Sequence, residues 1–135
     1  MSKLDAISLR DTSLPKIKVH ATVVFSILNN FTRRSPRDSR VIGTLLGEVK
    51  DGVVHVTDCF AVPFTEKVDE LLVTIDQKYH KSMYSFHLRN NKRETIVGWY
   101  TTTTEQGQFL NDNSSLINNF YRTECERPVH LVVDT

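Results

Sequence analysis

The sequence has no apolar run close to the ~20 residues that a membrane-spanning helix requires, and residues 1–14 lack the apolar centre of a secretory signal peptide. It has no large excess of charge of either sign, because 17 lysine and arginine residues face 16 aspartate and glutamate residues. That balance argues against a basic, nucleic-acid-binding surface over the whole domain, but not against a local basic patch. Only two cysteines are present, Cys59 and Cys125, and they lie far apart, which predicts free thiols in an intracellular chain.

The sequence also lacks the paired ligands of a metal site. Its five histidines form neither an H-x-H nor an H-x3-H pair, whereas zinc needs three or four nitrogen, sulfur or oxygen ligands around one ion. His80 and His87 are about two turns apart on a predicted helix, too far to share an ion without a third element. We therefore predict no metal and no cofactor. The two glycines of Gly43–Gly47 lie in an apolar segment and match neither nucleotide-binding fingerprint.

The 135 residues are enough for one domain with a single core. Hydrophobic periodicity predicts the element order β-α-β-β-β-α-β-α-β. Strands are expected at about 17–21, 40–49, 53–64, 71–75, 95–100 and 129–133, and helices at 22–34, at 77–89 and from about Ser114. Asp51 and Gly52 predict a hairpin, residues 65–70 a charged loop, and the last three elements a parallel β-α-β unit.

These elements predict an α/β fold in which a mixed sheet is sandwiched by helices. We expect the folded domain to cover residues 15–135, after a flexible leader of residues 1–14. The sequence stops at the end of a strand-like segment, so we expect the domain to be truncated at this end.

The most informative stretch is Ile96–Ser115, a strand that opens into a polar loop, which is the usual place for chemistry in α/β proteins. Thr101–Thr104 follow the strand, and a threonine hydroxyl becomes a nucleophile only beside a base. Glu105 and Asp112 are the carboxylates nearby, and no histidine is near in sequence. We favour the ordinary interpretation, in which these threonines hydrogen-bond locally at the strand end.

A basic cluster begins in the last turn of the first predicted helix, where Arg33 and Arg34 lie, and continues beyond it. Four arginines in eight residues, at 33, 34, 37 and 40, would suit contact with RNA phosphates, so Arg33, Arg34 and Arg37 are candidate RNA contacts. The alternative, which we favour, is a solvated helix end whose charge is tempered by Asp38.

The predicted helix 77–89 has aromatic and methionine residues on more than one face, at Tyr79, Met83, Tyr84 and Phe86. Such side chains are enriched in interface cores, so these four are candidates for binding a partner protein. A normal core helix is the equally weighted alternative.

Four segments stand together in an order and at a spacing that resemble an MPN domain: RVIGTLLG at 40–47, CFAVPF at 59–64, IVGWY at 96–100 and HLVVDT at 130–135. The resemblance extends from about Lys16 to the end of the chain. It implies the JAB-like mixed sheet of that family between helices. It also implies that the family's C-terminal strands and helices are absent here.

Catalytic members of that family are zinc isopeptidases, with a glutamate in an early strand as general base and an H-x-H, serine and aspartate motif later. The resemblance places Arg40 at the glutamate position and Thr101 and Thr103 at the histidine positions. Asn111 stands for the serine and Ser114 for the aspartate. This implies a chain with no catalytic residues, no metal and no enzymatic activity, since Arg40 brings positive charge to the place of a dication.

The resemblance then implies a protein that works by binding. Non-catalytic members pair with a second MPN subunit and join assemblies of PCI and MPN subunits. The leading expectation is a cytoplasmic scaffold subunit of eukaryotic translation initiation factor 3, linked mostly indirectly to the small ribosomal subunit. By likeness, pairing uses the helices 22–34 and 77–89, with Met83 and Phe86 foremost. The alternatives are a non-catalytic subunit of the proteasome lid or a related complex, or a deubiquitinase with a non-standard site.

Overall fold

The computed structural model describes residues 16–36, 38, 40–67, 72–103 and 114–135. Its elements are β1 (Lys16–Val19), α1 (Ala21–Thr32), β2 (Ile42–Lys50), β3 (Val53–Ala61), β4 (Phe64–Lys67), β5 (Leu72–Ile75), α2 (Gln77–Asn90), β6 (Thr95–Thr102), α3 (Ser114–Glu124) and β7 (Val129–Val133). Every helix and strand predicted from the sequence is present. The predicted leader, residues 1–14, lies outside the described residues.

Five strands form one sheet in the order β1-β3-β2-β6-β7, with β2 at its centre. β2 is antiparallel to both β3 and β6, whereas β1 pairs in parallel with β3 and β7 in parallel with β6. The predicted β-α-β unit is therefore confirmed as β6, α3 and β7. Asp51 and Gly52 join β2 to β3 with φ angles of 52° and 75°, which is the positive-φ backbone of the predicted hairpin.

Gly98 sets how closely β6 and β7 approach each other. It lies opposite Val129 in the parallel ladder, and a Cβ atom at this position would collide with the Val129 backbone. Only glycine fits such a contact without moving the strand. The close pairing fixes the register that places Trp99 opposite His130 and Thr101 opposite Val132.

The sheet is covered on both faces, as predicted. On one face Val23 and Ile27 of α1 are fully buried against a cluster that includes Leu45 of β2 and Tyr100 of β6. On the other face α3 contributes Ile117 and Tyr121, and α2 contributes half-buried residues. This second cluster contains Ile42, Leu46, Phe60, Val62, Ile75, Ile96 and Trp99. Apolar burial from two sides is what stabilises a mixed sheet between helices.

The prediction of a charged loop at residues 65–70 is wrong in its first half. β4 occupies Phe64–Lys67 and pairs antiparallel with β5 in a separate two-stranded sheet. The sequence pattern did not predict this strand, because a charged residue such as Glu66 is typical of a solvent-exposed loop. In the structure its carboxylate is bound by Arg40 inside the molecule rather than by water. A buried ion pair hides the alternation that normally reveals a strand.

Two details of the first strand and the first helix also differ from expectation. β1 ends at Val19, before the predicted end at 21, and Ile17 is exposed on it, since β1 is an edge strand that pairs, among the described strands, only with β3. Arg33 and Arg34 were predicted in the last turn of the first helix, whereas α1 ends at Thr32 and Arg33 is its C-cap. The backbone N–H of Arg33 donates to Asn29 O and that of Arg34 to Phe31 O, which closes the helix.

The four aromatic and methionine residues noted in the second helix divide between its exposed and its half-buried sides. Tyr79 and Phe86 are exposed, whereas Met83 and Tyr84 are half-buried against the second core cluster. The buried centre of this face is His80, whose ring lies among aromatic rings. Among the helices that the structure describes, none is long and apolar enough to cross a membrane.

Candidate functional site

Arg40, which precedes β2, is the most deeply buried charged residue in the part of the chain that the structure describes, with 2% of its surface exposed. Its Nε donates to Oε2 of Glu66 at 3.0 Å, and its Nη2 donates to the other carboxylate oxygen. The pair is bidentate, the strongest form of arginine–carboxylate contact. It ties the start of β2 to β4.

The end of β6 lies beside Arg40 because of the β2–β6 register. Ile42 is opposite Thr101. The Val41 N–H donates to Oγ1 of Thr102 at 3.0 Å, and the Thr102 N–H donates to Val41 O at 3.1 Å. Arg40 and Thr103 therefore flank this doubly bonded pair. The structure thus brings together three of the positions that the sequence predicts for an emptied zinc site.

A histidine from β7 completes this region. The imidazole of His130 stacks on the ring of Trp99, with centroids 3.6 Å apart and planes 7° apart. Its Nε2 is 3.1 Å from Oγ1 of Thr101. Burial, and secondarily the charge of Arg40, lower the pKa of His130 to about 4. The imidazole is therefore neutral near pH 7.

The contact between Thr101 and His130 has the form of a nucleophile beside a base, which the sequence alone did not show. Two observations argue against acyl-transfer chemistry there. Thr101 is completely buried, so no substrate reaches its hydroxyl. A pKa of about 4 also makes His130 a weak base. The contact is better explained as a structural hydrogen bond between neighbouring strands, and it differs from the local bonding that we favoured, because His130 is distant in sequence.

Thr103 is bonded to the residues that follow β7. Its N–H donates to Val133 O at 3.1 Å, and its hydroxyl lies 3.3 Å from the Asp134 carboxylate and 3.1 Å from the Thr135 hydroxyl. The hydroxyls of Thr101, Thr102 and Thr103 thus all join strand ends to one another. They stabilise this edge of the sheet rather than present a reactive group.

These residues do not fit a zinc ion. A guanidinium cation and threonine hydroxyls replace the nitrogen and carboxylate donors that zinc prefers, and Arg40 repels a dication at close range. Among the described residues no group of three histidine, cysteine, aspartate or glutamate side chains could hold a metal. Asn111 lies outside the described residues, and Ser114 is the first residue of α3.

The predicted RNA-contact residues lie at the end of α1. Arg33 is exposed. Arg34 lies 3.8 Å over the Phe31 ring and donates to the carbonyl oxygens of Phe31 and Asp38, each at 2.9 Å. Arg37 lies outside the described residues.

On α1, which the resemblance implies as a pairing helix, the structure exposes two apolar residues that sequence reasoning did not name as partner-binding. Phe25 is 69% exposed, and Leu28, one turn further, is also exposed. The helix contains no charged residue from Ala21 to Thr32. A surface helix normally carries charge on its outer face, so the absence of charge was the available signal. On α2, Phe86 is 57% exposed and Tyr79 is exposed as well.

Comparisons with known proteins agree with the fold. The sequence profile of a family described as JAB1/Mov34/MPN/PAD-1 ubiquitin protease matches residues 12–127. The chain is 45% identical over 125 residues to an Arabidopsis thaliana protein named as the F subunit of eukaryotic translation initiation factor 3, covering 92% of this chain and 41% of that protein. A Dictyostelium discoideum protein of the same name is 43% identical over 121 residues, covering 88% of this chain and 40% of its own length.

A Drosophila persimilis protein named as the F-1 subunit of the same initiation factor is 43% identical over 119 residues, covering 88% of this chain and 40% of that protein. The chain therefore spans about two-fifths of the length of these curated relatives.

Proposed function

Because the chain belongs to the JAB1/Mov34/MPN/PAD-1 family, we propose that it is a non-catalytic scaffold subunit of eukaryotic translation initiation factor 3. Relatives 43–45% identical carry the name of the F subunit of that factor, which supports a role in initiating protein synthesis. In this proposal the chain acts in the cytoplasm. It is linked to the small ribosomal subunit mostly through other PCI and MPN subunits.

One observation carries the non-catalytic part of the proposal, the buried pair of Arg40 and Glu66. The resemblance places a general-base glutamate at position 40, and a base must accept a proton from metal-bound water. A guanidinium group does not accept a proton near neutral pH. The Arg40 side chain is instead engaged by a carboxylate from β4.

The scaffold part of the proposal rests on two exposed apolar surfaces. The face of α1 with Phe25 and Leu28 is uncharged, and α2 presents Phe86 and Tyr79. Exposed aromatic residues are enriched in the anchors of protein interfaces. We assign pairing with a second MPN subunit to these two helices. Met83 and Tyr84, the other predicted partner-binding residues, are half-buried and would support this surface from beneath.

Affinity purification tests the proposal. We expect the tagged chain, expressed in eukaryotic cells, to recover initiation factor 3 subunits and small ribosomal subunits. Recovery of proteasome lid subunits in their place would favour the alternative complex and overturn the assignment. Cross-linking within the recovered particles decides whether Arg33, Arg34 or Arg37 touches RNA directly. Cleavage of ubiquitin chains by the purified chain would contradict the non-catalytic assignment.

A further inference from the structure

A cleft of about 370 Å³ opens between the C-terminal end of α1, the start of β2 and the end of β3. Its lining includes Arg33, Arg34 and Asp38, which come from the end of α1 and the turn after it, here called the polar side, and Val62, Pro63 and Tyr79, which come from the segment after β3 and from α2. Its volume is at the small end of the ~300–1,000 Å³ typical of ligand pockets. The cleft therefore has room for a few side chains of an extended segment, but not for a folded element.

The polar side of the cleft carries a fixed positive charge. The two hydrogen bonds that hold the Arg34 guanidinium run to carbonyl oxygens, which orient it without neutralising its charge. Arg33 is exposed beside it. Arg40 also borders the cleft, but Glu66 balances its charge. Among the described lining residues, the guanidinium groups of Arg33 and Arg34 therefore outweigh the carboxylate of Asp38.

The second group of lining residues is apolar. Val62 is buried, whereas Pro63 and Tyr79 are exposed to solvent. An apolar side chain placed between Pro63 and the Tyr79 ring would be removed from water on two sides. Such burial is favourable in proportion to the apolar area covered.

We propose that this cleft binds a short acidic peptide segment of a partner protein. A carboxylate of the segment bonds Arg33 and Arg34, and a neighbouring apolar side chain packs on Pro63 and Tyr79. The positive charge of Arg33 and Arg34 favours an acidic group. The apolar surface of Pro63 and Tyr79 favours a peptide, which can place an apolar side chain on it, over a nucleic acid. Phosphate backbones need several unopposed cations, whereas the described lining supplies only Arg33 and Arg34, which suits one or two carboxylates. The proposal holds whichever complex the chain joins.

Fluorescence anisotropy of the full chain with labelled peptides tests the proposal. The probe is the pentapeptide DEFDE, and its comparators are DEGDE, KKFKK and a labelled oligouridine. We expect saturable binding of DEFDE, weaker binding of DEGDE, and no binding of KKFKK. Arg33→Glu should weaken DEFDE binding by about tenfold or more, because it replaces a charge-assisted hydrogen bond with repulsion. Tyr79→Ala should remove the difference between DEFDE and DEGDE.

The matched control is Arg93→Glu, which makes the same charge change at an exposed turn before β6, at the other end of the sheet. It should leave DEFDE binding unchanged. Circular dichroism confirms that each variant is folded. The proposal is overturned by any of three results. The first is no saturable binding of DEFDE, and the second is equal weakening of DEFDE binding by both arginine variants. The third is binding of the oligouridine that is tighter than binding of DEFDE and is abolished by Arg33→Glu. None of these results depends on which complex the chain joins, so they are separable from failure of the scaffold proposal.

Discussion

Arg40 and Glu66 form a buried ion pair that joins the start of β2 to β4. Their side chains are 2% and 9% exposed, so water barely solvates either charge. Neither charge is tolerable at such depth without the other, because an uncompensated buried charge is strongly destabilising. The pair therefore holds β4 to β2 at the place where catalytic relatives, by resemblance, keep their base.

We expect Arg40→Leu to lower the free energy of unfolding by about 3–5 kcal/mol, because it removes the bidentate arginine partner of the buried Glu66 carboxylate. The double variant Arg40→Leu, Glu66→Leu should recover most of this loss. Urea denaturation of the parent, both single variants and the double variant gives the coupling energy directly. The exposed pair of Lys50 and Glu48 is the control, and breaking it should cost at most about 1 kcal/mol. A coupling energy near zero for Arg40 and Glu66 would show that the pair does not hold β4.

His130 should make the stability of the domain depend on pH. The pKa of its imidazole falls from 6.5 to about 4 on folding, so between these values the unfolded chain binds a proton that the folded chain does not. Stability is complete above pH 6.5 and is lost as pH falls towards 4. One pKa unit corresponds to about 1.4 kcal/mol, so we expect a loss of about 2–3 kcal/mol.

Denaturation at pH 7.5, 6 and 5 measures this loss. His80 contributes in the same direction, since burial lowers its pKa too, so the comparison must be with a variant. His130→Phe keeps a ring against Trp99 and removes the titrating group. The variant should lose less stability between pH 7.5 and 5 than the parent. If the variant loses as much stability as the parent between pH 7.5 and 5, other groups cause the pH dependence.

At the scale of elements, periodicity found every helix and strand except β4, but it did not separate the buried side of α2 from its exposed side. Positions 80, 83, 84 and 87 form the stripe that packs inward. Two of these positions are histidines, which count as polar in any hydrophobicity pattern, so the pattern did not place His80 in the core. His80 is nevertheless buried, because the rings of Phe60, Phe120 and Tyr121 surround it.

Prediction from sequence has the same limit at the candidate site around Arg40, Thr101 and Thr103. The resemblance to catalytic relatives identified Arg40, Thr101 and Thr103 from sequence. It could not identify Glu66 and His130, which reach the site from β4 and β7. Only the sheet register and the fold of β4 bring these two residues close. Residue types can be matched along a motif, whereas partners from distant elements need the structure.

The uncharged outer face of α1 should be a binding element rather than a structural one. Phe25→Asp places a charge at a position that is 69% exposed. The charge stays in water in the folded chain, so the substitution should not lower the stability of the fold. At an interface the same charge would be desolvated without a partner, which costs several kcal/mol. We expect loss of the MPN partner in affinity purification and an unchanged melting temperature.

Ser26→Asp is the control for Phe25→Asp, because Ser26 is the next residue of the same helix and is also exposed. It should retain the partner unless the interface extends around the helix. Retention of the partner by Phe25→Asp would move the pairing surface to Phe86 and Tyr79 on α2. A fall in melting temperature would show instead that Phe25 serves the fold.

At the scale of the whole molecule, two core clusters and a network of strand-end hydrogen bonds stabilise the sheet. The residues of the emptied site are already satisfied by one another: Arg40 by Glu66, Thr101 by His130, and Thr103 by the segment after β7. A ligand stabilises a fold only if it binds the folded state more tightly than the unfolded state. We expect zinc to have no such preference here, because among the described residues these groups offer it no set of three or four suitable donors.

We therefore expect the melting temperature of the tag-free chain to be the same in EDTA and with equimolar Zn²⁺. Equimolar Mg²⁺ is the control for ionic strength, and any change in melting temperature with Zn²⁺ should be no larger than the change with Mg²⁺. A resident structural or catalytic zinc would behave differently, since metal binding free energy adds to folding free energy and a chelator removes it. A rise in melting temperature with Zn²⁺ that EDTA reverses would show a metal site despite Arg40. Loss of that rise in His130→Phe would then place the site at the ends of β6 and β7, and persistence of the rise would place it elsewhere.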